Sequence, residues 1–199
     1  MSLLPIIVGI SGKAGAGKTT LADILVDLLP DAHHFALAET LKWKVKEEFS
    51  FTDKQVFGPA KDDICHLVDQ STGKSLTPRD VLIRVGQFYR SLDPMFWTKA
   101  CLHRITGSLS WPSVAFISDV RFKNEAFAIK GNSGLIIRIE RDPALLIHGP
   151  HENDPSETDM DDFTGFDMVV KADDRAQLTE VAKNVANVIA RKSADAGLR

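Results

Sequence analysis

The sequence predicts one α/β domain, a five-stranded parallel sheet with helices on both faces and a mobile lid. Two observations predict this class: short apolar runs alternate with helical patterns, and a glycine-rich loop joins the first run to a helix. The chain has 199 residues, of which 44% are hydrophobic and 26% charged, the composition of one globular domain over residues 1–199.

The five predicted strands are apolar runs of strand length. Parallel strands are covered on both faces, so they are apolar almost throughout instead of alternating with polar residues. The runs are residues 6–10, 34–37, 114–118, 135–139 and 166–170.

Helical spacing of apolar residues predicts the connecting helices. They are residues 21–29, residues 39–49, a helix beginning at Thr77, a helix beginning near Asp93, and a last helix from Leu178 to Ile189. Thr77 is followed by proline and, three residues on, by an acid, which is typical of a capped start. Residues 51–75 and 142–165 resist regular assignment, and we interpret 142–165 as a lid loop.

The glycine-rich loop matches the phosphate-loop pattern G-x-x-x-x-G-K-[ST], and we call residues 12–19 the phosphate loop. Its backbone N–H groups converge on phosphate oxygens, a lysine reaches the β and γ phosphates, and a hydroxyl completes a magnesium shell. The sequence therefore predicts binding of a nucleoside triphosphate with magnesium. The predicted nucleotide-binding residues are Gly12, Lys13, Ala14, Gly15, Ala16, Gly17, Lys18, Thr19 and Thr20.

Charged residues follow two of the predicted strands, where ligands of open α/β sheets bind. Asp119 ends the third run; it is expected to act through water on magnesium or to orient the acceptor oxygen, and a helix-capping role is the alternative. Arg121 is expected to neutralise phosphate charge, with a surface salt bridge as the alternative. Arg141 begins the lid segment; it is expected to stabilise transferring charge when the lid closes, or else to be a surface residue.

Other charged groups are less specific. Arg79, Arg84 and Arg90 lie along one predicted helix, where an arginine fork suits a dianionic monophosphate, but helical arginines are more often solvated. We interpret the acidic cluster at the end of the lid as a solvated face, with a cation site as the alternative; its members are Glu157, Asp159, Asp161 and Asp162. Trp97 is expected to pack, or to border a substrate pocket.

Charge and composition argue against several classes of partner and site. A formal charge of -3 gives no broad field for a polyanion, so polymeric nucleic acid is not the expected partner. Cys65 and Cys101 stand alone, which argues against a disulfide framework or zinc site. No apolar run reaches membrane-spanning length, so we expect no membrane partner and a cytoplasmic location. Oligomeric state, a homodimer included, is left open.

Several blocks together resemble the bacteriophage deoxynucleoside monophosphate kinase family. They are residues 10–20, 35–42, 77–97, 117–125 and 156–159, in the family's order over nearly the whole chain. The resemblance implies a P-loop kinase fold, ATP as donor, magnesium as cofactor, a deoxynucleoside monophosphate as acceptor and, for a phage-encoded chain, a location in the host cytoplasm. It implies acceptor-binding helices over about 51–106 and a lid after Arg141. The implied acceptor-binding residues are Lys42, Arg79, Arg90, Asp93, Trp97, Arg121 and Glu125; Lys18, Asp119, Arg121 and Arg141 are the implied catalytic residues, and Thr19 and Asp119 the implied metal ligands.

The acceptor is less specific than the fold. Animal phosphomevalonate kinases share the blocks at residues 118–121 and 90–94, and phage kinases acting on hydroxymethyl pyrimidines in DNA are also similar. A nucleotide-dependent binding module is the non-enzymatic alternative. It is disfavoured because no Asn-Lys-x-Asp motif is present and no Asp-x-x-Gly begins at Asp119.

Overall fold

The computed structural model describes residues 5–107, 112–148 and 154–195. Its sheet has five strands in the order β2-β3-β1-β4-β5, and every neighbouring pair is parallel. The strands are β1 (Ile6–Ser11), β2 (Ala32–Phe35), β3 (Val114–Val120), β4 (Leu135–Glu140) and β5 (Met168–Lys171). The predicted five-stranded α/β fold is confirmed.

Eight α-helices and two short 3-10 helices lie within the described residues. The α-helices are α1 (Lys18–Leu28), α2 (Leu37–Glu48), α3 (Asp53–Val56), α4 (Pro78–Leu92), α5 (Phe96–Thr106), α6 (Lys123–Gly131), α7 (Pro155–Thr158) and α8 (Arg175–Asp195). The 3-10 helices cover Pro59–Asp62 and Pro143–Leu145.

The chain divides into two compact units, and the sheet belongs to the first, residues 1–36 with 102–199. Its core lies between the sheet and helices α1 and α8. Every residue of β1 is buried, and Phe116 of β3 is fully buried beside Leu21 and Leu25 of α1. On α8, Leu178, Ala182, Val185 and Ile189 complete this core at helical spacing, as predicted.

The second unit, residues 37–101, has its own core between α2, α3 and α4. Val45 and Val56 are fully buried there, and Trp97 is 3% exposed. The predicted start of α4 is confirmed: the Thr77 side chain accepts a hydrogen bond from the Asp80 backbone N–H while Asp80 Oδ2 accepts from the Thr77 backbone N–H.

Several elements differ from the prediction, among them β2, α6 and the lid segment. Strand β2 begins and ends two residues before the expected span. Helix α6 was not predicted, because it has only nine residues and gives little apolar periodicity. The lid segment contains a 3-10 helix and α7, and its residues 149–153 lie outside the described residues.

The parallel order brings the ends of the central strands to one edge of the sheet. The phosphate loop follows β1, Arg121 follows β3 and Arg141 follows β4, and these are three adjacent strands. Where strand order reverses beside β1, loops separate and leave room for a ligand. None of the helices in the described part of the chain is long and apolar enough to cross a membrane.

Candidate phosphate-binding site

The phosphate loop adopts a conformation that needs its glycines. Gly15 has φ 78° and Gly17 has φ 92°, both in the left-handed region that glycine alone adopts at low cost. A Cβ atom on Gly15 would lie 2.8 Å from Ile147, and one on Gly17 would lie 2.8 Å from Leu178. Gly17 directly precedes α1, so the phosphate loop lies at the positive N-terminal end of that helix, which favours an anion.

Lys18 is a buried lysine of the phosphate loop, and its pKa is lowered by its surroundings. Its Nζ donates hydrogen bonds to the carbonyl oxygens of Gly12, at 2.7 Å, and Lys13, at 2.8 Å. Burial lowers the pKa of Lys18 from 10.5 to about 8, and repulsion from Arg121 acts in the same direction. The loop thus holds an ammonium that gains from any nearby negative charge.

Arg121 is brought to the loop through the side chain of Glu157. One carboxylate oxygen of Glu157 accepts a hydrogen bond from the Arg121 guanidinium, and the other accepts from the backbone N–H of Ala14 at 2.8 Å. The Arg121 backbone N–H donates to Glu125 Oε2 at 2.8 Å. Glu125 is buried and also accepts from the Phe122 N–H, so here it anchors the turn between β3 and α6.

Lys13 connects the phosphate loop to the chain segment that contains Glu157 and Asp161. Its Nζ donates to the Glu157 carbonyl oxygen at 2.6 Å and to Asp161 Oδ2 at 2.5 Å. Asp161 also accepts from Arg138 at 3.0 Å. The expected solvated face is wrong for Glu157, whose side chain is only 11% exposed and pairs with Arg121. Asp161 pairs with Lys13 and Arg138 but is 44% exposed.

Arg141 packs against the other side of the loop. Its guanidinium donates to the Gly15 carbonyl oxygen at 2.6 Å and to the Asp173 carbonyl oxygen at 2.9 Å. Arg141 Nε is buried and lacks a hydrogen-bond partner among the described residues. These contacts connect the phosphate loop to the turn between β5 and α8.

A cavity of about 230 Å³ lies beside this arginine. It is lined by Ala16, Gly17, Thr20, Arg141, Ala172, Asp173, Asp174, Arg175 and Leu178. Sequence reasoning found its loop side and Arg141 but missed residues 172–178. The only sequence signal for them is their position directly after the last strand, at the ligand-binding edge.

The predicted metal ligands are compatible with magnesium. Thr19 is exposed at the start of α1, and Asp119 is half-buried near the end of β3, where its charge raises the pKa of Lys18 against the larger effect of burial. Within the described residues no group of three or more His, Cys, Asp or Glu side chains is placed to hold a metal. Magnesium fits such a sparse set, since it usually keeps waters and binds substrate phosphates with one or two protein ligands.

The remaining predicted residues belong to the second unit. Arg79 forms a two-point ion pair with Asp62, and Asp93 accepts from the Met95 N–H and from Lys99 at 2.6 Å. Lys42 Nζ lies 5.6 Å from the centre of the Phe57 ring. Trp97 donates its Nε1–H to the Gly86 carbonyl oxygen at 3.2 Å, so it holds α4 and α5 together. Arg90 is exposed on α4.

The five-stranded parallel sheet and the phosphate loop define the class as an α/β P-loop protein. No family model matches the chain. A protein of Acanthamoeba polyphaga mimivirus named "Putative deoxynucleotide monophosphate kinase" is 29% identical over 176 residues, 83% of this chain and 87% of that protein. The uncharacterized protein ORF76 of Ictalurid herpesvirus 1 is 31% identical over 114 residues, 54% of this chain and 47% of that protein.

One solved structure supports the fold alone. The crystal structure of TT1252 from Thermus thermophilus is 13% identical and has a TM-score of 0.54, covering 95% of this chain and 98% of that chain. The similarity in fold therefore covers nearly all of this chain.

Proposed function

We propose that this protein transfers the γ-phosphoryl group of ATP to a deoxynucleoside monophosphate and forms the diphosphate. The observation that carries the proposal is that Glu157 joins Arg121 to the backbone N–H of Ala14, in the same loop that contains the buried Lys18. Two converging cations on one loop suit a reaction between two phosphate groups. The name of the mimivirus relative supports the same acceptor class.

The residues divide the work between binding and charge stabilisation. The amides of the phosphate loop and Lys18 would hold the β and γ phosphates, which requires Lys18 to turn from the Gly12 and Lys13 carbonyls toward the ligand. Arg121 would contact the transferring or accepting phosphate. Arg141 would hold the Gly15 side of the loop through its existing hydrogen bond.

The reaction is a direct in-line displacement. An oxygen of the acceptor monophosphate forms a bond to the γ-phosphorus while the bond to the oxygen bridging the β and γ phosphorus atoms breaks, and ADP leaves with that oxygen. No covalent enzyme intermediate is involved. Thr19 and Asp119 would hold magnesium, which supplies charge neutralisation at the phosphates. Arg90 would contribute to binding the acceptor phosphate.

The acceptor is tested with a panel assayed at equal ATP-Mg concentration. The panel contains the four common deoxynucleoside monophosphates, phosphomevalonate and DNA containing hydroxymethyl pyrimidine. We expect the highest kcat/KM with at least one deoxynucleoside monophosphate. If the products include phosphorylated DNA or diphosphomevalonate but no deoxynucleoside diphosphate, the acceptor is the DNA or phosphomevalonate instead.

Lys18→Ala serves as the inactive reference for this panel. Lys183→Ala is the matched control, because Lys183 is an exposed lysine of α8 that pairs only with its helix neighbour Glu180 among the contacts described. Full activity in the Lys183 variant and none in the Lys18 variant ties product formation to the phosphate loop.

A further inference from the structure

The segment formed by residues 154–162, which we call the acidic segment, meets the phosphate loop through several polar contacts. Glu157 accepts from the Ala14 N–H and from Arg121, and its carbonyl oxygen accepts from Lys13. Asp161 accepts from Lys13 as well. The Glu157 side chain is only 11% exposed, so its carboxylate is enclosed by these donors and not merely near them.

The donors that hold the Glu157 carboxylate are those that bind phosphate. A backbone N–H of a phosphate loop and an arginine guanidinium are each suited to an anionic oxygen. Each of the two Glu157 carboxylate oxygens uses one such donor, as a phosphate group with two oxygens would. Glu157 and a phosphate group therefore cannot both hold Ala14 N–H and Arg121 in this geometry.

We propose that Glu157 is a built-in substitute for phosphate that must be displaced before a phosphate group reaches Ala14 and Arg121. The proposal rests on the proposed function for the identity of the displacing ligand, ATP-Mg. A carboxylate carries one negative charge, whereas a terminal phosphate carries up to two at neutral pH, so a phosphate competes with advantage for the same cations. The acidic segment thereby favours ligands that bring a phosphate as far as Ala14 and Arg121 over those that fill only the inner part of the loop.

Displacement releases other charges in turn. Lys13 joins the loop to both Glu157 and Asp161, so withdrawal of the segment also frees Lys13 for a ligand. Lys123 stays with the acidic segment, since its backbone N–H donates to Asp159 and its side chain pairs with Asp162. Glu157 and Asp161 would therefore leave the phosphate loop, while Asp159 and Asp162 keep the segment attached to α6.

The test is equilibrium binding of inorganic triphosphate and of ATP-Mg to three proteins. They are the wild type, Glu157→Gln, and the control Asp162→Asn, which removes the same charge from an exposed residue of the same segment. Loss of one charge-assisted competitor should lower the Kd of Glu157→Gln about tenfold for both ligands. Asp162→Asn should stay within about twofold of the wild type. An unchanged or higher Kd in Glu157→Gln overturns the proposal.

Amide hydrogen exchange in the wild type gives a second test that needs no variant. Exchange at residues 155–161 should rise when triphosphate binds, because the contacts with the loop are lost. Unchanged or stronger protection overturns the proposal. If the wild-type enzyme forms deoxynucleoside diphosphate but amide exchange at residues 155–161 does not rise, only the role of Glu157 is disproved and the proposed function stands. If Glu157→Gln binds triphosphate more tightly but the wild type phosphorylates no acceptor, only the proposed function is disproved and the role of Glu157 stands.

Discussion

Ionisation of Lys18 should make nucleotide affinity depend on pH in a window where few other groups titrate. The pKa of this lysine is about 8 because the ammonium is buried and repelled by Arg121. At pH 9 only about one-tenth of the protein carries a charged Lys18, so the Kd for ATP-Mg should be about tenfold higher than well below pH 8. The terminal phosphate of the ligand titrates near pH 6 and stays ionised throughout this range.

Calorimetric titration with a non-hydrolysable ATP analogue, from about pH 7 to about pH 9.5, measures this dependence. Two buffers of different ionisation enthalpy would reveal proton uptake on binding above pH 8. Lys18→Arg is the control, because a guanidinium stays charged over the whole range. The slope of log Kd against pH is compared, not the absolute affinity. Equal slopes in the wild type and Lys18→Arg would refute the assigned ionisation of Lys18.

The same lysine affects stability with a definite sign. Its folded-state pKa, about 8, lies below the value of 10.5 for the unfolded chain, so the unfolded chain binds more protons between these two pH values. The free energy of unfolding should therefore rise with pH in that window, by up to about 3 kcal/mol. Lys18→Met lacks the group and should lack this part of the rise in urea titrations.

Arginine and glycine variants give two further predictions. Arg121→Ala should lower kcat about 100-fold, as expected for a lost transition-state contact. Arg90→Ala should mainly raise the KM for the acceptor, about tenfold. Equal effects of both variants on KM, with kcat unchanged, would contradict these separate roles. Gly17→Ala should unfold at a lower urea concentration than Gly73→Ala. Both glycines have positive φ, but only at Gly17 would an added Cβ meet another side chain. Equal unfolding midpoints would contradict the close packing of the loop.

The parts of the molecule predicted from sequence are those with local causes. The phosphate loop is eight consecutive residues between an apolar run and a helix, and its pattern specifies the backbone conformation directly. The buried strands β1 and β3 were found because burial on both faces makes them apolar throughout. Asp119 and Arg121 were predicted from their position at the carboxyl end of a central strand.

The contacts of Glu157 could not be predicted because their cause is not local. Its partner Ala14 is 143 residues away in the chain, and a run of acids reads as solvated when its partners are unknown. The pairing of this run with Lys13, Arg121 and Arg138 requires the fold to bring four separate segments to one edge of the sheet. Helix α6 was missed for another reason, since nine residues carry too few apolar positions to show a period.

The destination of the γ-phosphoryl group tests the central claim most directly. Phosphorus NMR of a reaction containing ATP-Mg and the best deoxynucleoside monophosphate follows that group without coupling enzymes. We expect one deoxynucleoside diphosphate for each ADP formed, with neither product in the Lys18→Ala protein. Formation of ADP and inorganic phosphate, with the monophosphate unchanged, would contradict it and would identify a nucleotide-hydrolysing protein in place of a phosphotransferase.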